Sequence, residues 1–267
     1  MSVNQANSCV NITAEDGALW VELNRPDSMN AIDEEMLDGL NLAIDEIERS
    51  SHYYALVLTG RGRAFCAGVD LGKVLDQTSG DWAGISALLR RVGASFNRLA
   101  SLPVPVIAAV NGIAVAGGLE LVLCCDLVVA TRSARLGDAH ANYGLVPGAG
   151  SSVRLTRRVG VNRAKQMLFT GDPASAQEMF EAGLVNQIAE EGQLLVQTRH
   201  LLERLAGKSR SSLRLMKALV DDSMDLPLEA ALRAELLAFE AHSHSPDLLE
   251  GLRAFREKRP PRFNGPK

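Results

Sequence analysis

The rhythm of hydrophobic and polar positions along this 267-residue chain changes twice. Val10–Thr13 and Ala18–Leu23 alternate well enough for strands, with Glu15-Asp16-Gly17 as the turn between them. Asn24-Arg25-Pro26 ends the second strand. Met36, Leu37, Leu40, Ile44 and Ile47 then recur at helical spacing, which predicts a helix over about Glu34–Arg49 capped by Asp33. Tyr54–Thr59 is a short apolar run and reads as a buried strand; Gly60–Asp70 reads as a loop rich in glycine and small residues. A helix over Trp82–Leu102 stops at Pro103 and Pro105. Val106–Val110 is another buried strand, a short apolar helix follows Gly117-Gly118, and Asp126–Ala130 is strand again.

These strands are continuous apolar runs, as strands covered on both faces must be. With helices between them they predict an α/β arrangement. A strand–loop–helix–strand unit occurs around Gly60–Val110 and again around Val110–Thr131, a repeated supersecondary unit. From Gly160 onward strand signals nearly vanish. Asn162–Phe169, Ser175–Ala182, Gly192–Ala206, Ser211–Val220, Leu228–Ser243 and Pro246–Glu257 all read as helical, and only Leu184–Ile188 as strand. The chain therefore divides into a core over 1–200 and a helical C-terminal region over 201–267, which serves either subunit packing or as a cap on its own subunit.

Composition narrows the function. The net charge of −4 comes with no basic stripe, which argues against nucleic acid as a partner. No apolar run is long enough to span a bilayer, and the N-terminal residues carry no signal or transit pattern; a cytoplasmic location is expected. Cys9, Cys66, Cys124 and Cys125 match no zinc spacing and read as reduced, buried small residues. No metal is implied, and no cofactor.

The chemistry concentrates in Val106–Asp126. Glycines at the mouth of a helix leave backbone N–H groups bare, and the helix dipole adds positive potential there. Such a place holds an anion, or an oxygen that becomes one during reaction. Glu120, three residues past Gly117, is a carboxylate beside the same spot in an otherwise apolar segment. The pattern points to polarising a carbonyl and moving a proton next to it.

The motifs in order are Leu23-Asn24-Arg25-Pro26 with Asn30-Ala31, then Ala64-Phe65-Cys66-Ala67-Gly68-Val69-Asp70-Leu71, then Pro105–Asp126. Gly144-Leu145-Val146-Pro147-Gly148-Ala149-Gly150, Leu168-Phe169-Thr170-Gly171 and Phe255-Arg256-Glu257-Lys258-Arg259 follow. Together they resemble the enoyl-CoA hydratase/isomerase (crotonase) superfamily over nearly the whole length. The resemblance implies a spiral of repeated ββα units, a helical trimerisation region, and a homotrimer or dimer of trimers. It implies an acyl-CoA thioester as substrate, so that coenzyme A enters as part of the substrate. The backbone N–H groups of Val69 and Gly117 would form the oxyanion hole. Asp27, Ser28, Met29, Ala67, Asp70, Leu71 and Gly72, with Gly118, would line the CoA and substrate site. Phe255 and Lys258 would approach the CoA of a neighbouring subunit, or else pack and charge-balance a helix end.

The hydratases use two glutamates. The first matches Glu120; the second falls on His140, in Gly137-Asp138-Ala139-His140. Histidine can serve as acid or base, so Glu120 and His140 read as the catalytic pair. A structural His140 is the alternative, and Asp138 is a reserve acid on the same face if the segment is extended. The isomerase branch often loses the first acid instead, which this chain keeps. A carbon–carbon bond hydrolase similar to 6-oxocamphor hydrolase would lack the glycine pair and carry an acid where Ala149 stands. A non-catalytic acyl-CoA binder stays open. Arg154, Arg157 and Arg158 have helix-surface spacing and are expected to make salt bridges rather than hold a CoA phosphate. His52, His200, His242 and His244 are expected to be solvated. Trp82 and the stretch Lys73–Ala87 are expected to line the acyl pocket, or for Trp82 an interface.

Overall fold

The chain's apolar runs are absorbed by one large sheet with a layer on each face. The computed structural model describes residues 5–73 and 82–263. Its strands are Gln5–Asn7 (β1), Val10–Glu15 (β2), Ala18–Leu23 (β3), Ala55–Gly60 (β4), Ala64–Cys66 (β5), Val106–Val110 (β6), Ile113–Val115 (β7), Leu127–Thr131 (β8), Arg135–Gly137 (β9), Ala174–Ser175 (β10) and Gln187–Ala189 (β11). The helices are Glu34–Arg49 (α1), Trp82–Ala100 (α2), Gly117–Leu123 (α3), Thr156–Val159 (α4), Val161–Thr170 (α5), Ala176–Glu181 (α6), Leu194–Ala206 (α7), Arg210–Ser223 (α8), Leu228–His242 (α9) and Pro246–Glu257 (α10).

The large sheet runs β1-β2-β3-β4-β6-β8-β11 and is parallel from β3 onward. Alternate side chains of one strand enter different cores, because successive residues point to opposite faces. In β4, Leu56 and Leu58 join the main core with Val21, Val110 and Phe96, while Ala55 and Val57 join a second cluster with Trp20, Ile107 and Val129. Helix α7 covers that second face with Leu194, Leu201 and Leu202. This explains the continuous apolar runs. It also carries α7 through position 200, where the sequence suggests the core ends.

A second, smaller sheet runs β10-β9-β7-β5, and β5, β7 and β9 are parallel. Each turn of the chain thus lays one strand in the large sheet and the next in the small one: β4 then β5, β6 then β7, β8 then β9. Gly60–Asp70, expected as loop, contains β5, and β7 and β9 are strands that the hydrophobic pattern does not predict. These strands are three residues long, too short for a period to register. The last strand lies at Gln187–Ala189 rather than Leu184–Ile188, because Leu184 and Val185 face the main core before the chain turns into the sheet.

Helix α1 starts where expected: Asp33 Oδ1 accepts the Met36 N–H at 2.9 Å. Asn111 ties the corner between the sheets, accepting the Gly60 N–H at 3.0 Å and donating to Gly62 O at 2.9 Å. Helix α8 is tied to its own core by Lys217, whose Nζ meets Asp126 Oδ2 at 2.8 Å and Val104 O at 3.2 Å. Helices α8 to α10 still leave Met216, Val220, Leu228, Leu232, Leu236, Phe239 and Leu252 exposed. Among the described residues no helix is long and apolar enough to cross a membrane.

Candidate active site

Three loops leave the same ends of the parallel strands β5, β7 and β9 and bring Val69, Gly117 and His140 to one region. The Ile32–Val69 bridge explains why one amide is bare. Ile32 N–H donates to Gly68 O at 2.7 Å and Asp70 N–H to Ile32 O at 2.9 Å, so the pattern steps over Val69 N–H. Across from it, Ala116 N–H is taken by Gly137 O at 3.0 Å, and Gly117 opens α3 with its own N–H unpaired among the described residues, as first-turn amides are. A Cβ on Gly117 would lie 3.3 Å from Val69 N, and one on Gly68 would lie 3.0 Å from Gly117 N. The two amides therefore flank one small gap. Ala116 sits at φ 49°, ψ −123°, a conformation that costs a non-glycine residue about 1–3 kcal/mol and clusters at functional sites. Gly118 faces the other way: a Cβ there would meet Cys66 O at 2.0 Å, so its bare α-carbon lets α3 press onto β5.

Glu120 is 3% exposed. Its Oε1 accepts the Ala149 N–H at 2.8 Å and the Ser151 N–H at 3.0 Å, while Oε2 makes no hydrogen bond among the described residues. Burial pushes its pKa up, and the two amides and the nearby His140 offset this only in part. The loop that supplies those amides is strapped by Arg154, which donates to Ala149 O at 3.0 Å and to Asn97 Oδ1 at 2.7 Å.

The segment around His140 is not extended, which corrects the face argument made for Asp138. Ala139 is left-handed at φ 60°, and His140–Tyr143 is a tight helical turn. The kink folds the ring back onto Asp138, with His140 Nδ1 at 3.0 Å from Asp138 Oδ1. Burial works against the imidazolium, but the Asp138 hydrogen bond and the charges of Asp138 and Glu120 prevail and raise the His140 pKa.

The residues expected around CoA divide into two kinds. Ser28, Leu71 and Gly72 are exposed, and Met29 and Ala67 are half-buried, with Ala67 N–H donating to Met29 O at 3.0 Å. Asp70 is already engaged: its Oδ2 meets Arg25 Nη2 at 2.9 Å. Arg25 also meets Asp33 at 3.3 Å, and Lys73 Nζ lies 2.6 Å from the same carboxylate. Burial alone would push the Asp33 carboxyl up; Lys73, the Met36 amide and Arg25 outweigh it and hold it low. Phe255 (86% exposed) and Lys258 stand at the end of α10, where among the described residues no hydrogen bond or ion pair links them to the loops around Glu120. Positions 74–81 and the Trp82 side chain, expected near the acyl pocket, lie outside the described residues.

Sequence reasoning missed the Ala149 and Ser151 amides, which hold Glu120. Backbone donors leave no trace in residue type; only Gly148 and Gly150 hinted at a tight loop. Arg157 pairs with Asp225 at 2.7 Å, Arg158 donates to Cys125 O at 3.0 Å, and Arg154 is the loop strap. His242, expected to be solvated, lies 3.0 Å from Ser212 Oγ and 3.3 Å from Ser245 Oγ. All four cysteines are buried and unbridged, and burial pushes the Cys66 and Cys124 thiols up to about 12.

The chain is similar to known proteins over most of its length. Residues 13–266 match the family model for enoyl-CoA hydratase/isomerase. A Thermus thermophilus protein named provisionally as an enoyl-CoA hydratase is 43% identical, over 91% of this chain and 96% of its own. The crotonyl-CoA hydratase of Syntrophomonas wolfei is 34% identical over 90% and 92%. The crystal structure of an enoyl-CoA hydratase from Bacillus anthracis superposes with a TM-score of 0.91 at 34% identity, covering 97% of this chain and 100% of that one.

Proposed function

The chain belongs to the enoyl-CoA hydratase/isomerase family and has its crotonase fold, and from that premise we propose that it adds water to a 2-enoyl-CoA thioester, or removes it. The thioester oxygen sits between the Val69 and Gly117 amides. Glu120 and His140 are the acid–base pair. Water loses a proton to one of them as its oxygen bonds to Cβ, and the π pair moves toward the thioester oxygen. The resulting enolate then closes by taking a proton at Cα from the other. Each part of the transition state meets a preorganised partner, and a lost oxyanion donor typically costs about 10²–10³ in rate.

The observation that carries this reading is the pair of amides, unpaired among the described residues, that flank one gap at the start of the helix carrying a buried, half-satisfied Glu120. Coenzyme A would run along Ser28, Met29, Ala67, Asp70, Leu71 and Gly72. The exposed apolar side chains of α8 to α10 support assembly with further copies of the chain. In this reading the assembly is a trimer or pair of trimers in the cytoplasm, with Phe255 and Lys258 reaching a neighbour's CoA. The deciding measurement is loss of enoyl-thioester absorbance with crotonyl-CoA and a longer trans-2-enoyl-CoA, from about pH 5.5 to about pH 9, a span that brackets the histidine range. Turnover with a limb in that range is expected. Acyl-CoA binding without turnover would sink the hydratase reading.

A further inference from the structure

Asp138 closes β9 at 1% exposure. Its Oδ1 meets His140 twice, at ring Nδ1 (3.0 Å) and at the backbone N–H (3.3 Å). Its Oδ2 is sealed from solvent and has no hydrogen-bond partner. Among the described residues no lysine or arginine pairs with it, so this buried carboxylate leans on one imidazole. A buried polar atom left unpaired is costly, and such costs are kept where they do something. With Nδ1 committed, Nε2 is the ring nitrogen without a hydrogen bond among the described residues. The charged groups facing the ring are Asp138 and, from α3, Glu120. Helix α5 packs against the His140 turn and carries Arg163, which is paired with Glu178 at 2.9 Å, and the exposed Lys165.

We propose that Asp138 is a positioning residue: by accepting the Nδ1–H it fixes the His140 ring so that Nε2 exchanges the reaction's proton, with His140 as the donor to Cα and Glu120 as the base for water in the hydratase reading. The second half rests on the hydratase reading above; the first does not. The division follows from charge. An imidazolium between two carboxylates is favoured, and its charge offsets part of the burial that disfavours an ionised Glu120. In hydration Glu120 takes the water proton while the hydroxyl bonds to Cβ. The His140 Nε2–H proton passes to Cα as the enolate pair closes on it. Proton return from Glu120 to His140 through solvent resets the site.

The test is ¹⁵N-histidine NMR on the full-length chain, with His140→Gln identifying the signal among the five histidines. Neutral His140 is expected in the Nδ1–H form. In Asp138→Asn and Asp138→Ala its titration midpoint is expected to fall by about one unit or more, the size of effect a close opposite charge has. The Nδ1–H preference should vanish in Asp138→Ala; Asp138→Asn, which keeps the shape, covers the case in which the alanine variant fails to fold. An unchanged midpoint and tautomer in Asp138→Asn would overturn the positioning role. With crotonyl-CoA, kcat should fall about 100-fold in Asp138→Ala with little change in KM, since general acid catalysis contributes about that much. The alkaline limb should move down with the NMR midpoint, and a limb that stays put would overturn the donor assignment. A wild-type protein inactive on crotonyl-CoA but showing the expected NMR response would remove the hydratase reading and leave the Asp138–His140 pairing standing.

Discussion

The contact between α3 and β5 sets the separation of the two bare amides, and Gly118→Ala tests it. The new methyl would stand 2.0 Å from Cys66 O and 2.7 Å from Cys66 C, both backbone atoms that cannot swing aside. Reaching even the shortest tolerated contact of about 3.0 Å requires α3 and β5 to part by about 1 Å. Overpacking of this kind costs about 1–3 kcal/mol, and each kcal/mol is about 2–4 °C of melting temperature for a chain of this size. A displacement of about 1 Å also costs about 100-fold in rate. Gly117→Ala is the control, because its methyl would meet Gly68 Cα at 3.2 Å and Val69 N at 3.3 Å. That strain relaxes with small movements, so stability should stay within about 1 kcal/mol while the methyl obstructs the gap. Thermal melts with crotonyl-CoA turnover read both effects. Gly118→Ala should lose stability and rate together; Gly117→Ala should lose rate alone. Wild-type melting and turnover in Gly118→Ala would refute the argument that this packing positions the amides.

Other perturbations probe the remaining parts. Glu120→Gln keeps an Oε1 to accept the Ala149 and Ser151 amides, so unfolding in urea should change little while turnover drops about 100-fold or more; equal activity would take Glu120 out of the reaction. His140→Ala should also cost about 100-fold, and a rate within about two-fold of wild type would mark it as structural. Arg25→Met removes the cation shared by Asp33 and Asp70, and breaking a buried pair this way should cost about 3 kcal/mol in urea unfolding; a loss of only a few tenths would show that Lys73 suffices. The raised pKa values of Glu120 and His140 mean that the folded state holds more protons than the unfolded one just above each ordinary value. Their contribution to stability is present at lower pH and is lost as pH climbs, from about 4.5 for Glu120 and about 6.5 for His140. The melting-temperature difference between wild type and His140→Gln should shrink between about pH 6 and pH 8; a difference that grows would contradict the raised value.

What the sequence discloses depends on how a feature is encoded. The large sheet was legible because Leu56-Val57-Leu58 and Ile107-Ala108-Ala109 fill cores on both faces, which demands unbroken apolar runs. Helix α1 was legible in its period and its Asp33 cap. The glycine pair was legible because glycine is needed where Gly118 meets Cys66. The small sheet was invisible, since three-residue strands have no measurable period. The Ala149 and Ser151 donors were invisible because a main-chain N–H is the same for any residue. Asp138 was placed beside His140 by an extended-strand argument. The contact exists, but it is made by the left-handed turn at Ala139, a residue type that gives no warning of one. The Arg25 hub joins residues 45 positions apart, and the motif that contains it says nothing of its partners.

The strands β5, β7 and β9 lie side by side, and each hands one component to the site as it ends: a bare amide after β5, a second amide with Glu120 after β7, and the Asp138–His140 pair after β9. The components share a location without sharing a loop. An inherited change in the last of them alters the proposed acid–base partner and leaves the two bare amides as they were. Such a scaffold can diversify its chemistry one turn at a time, and Ala139–Gly150 is the stretch to randomise when seeking a new reaction beside the same two amides.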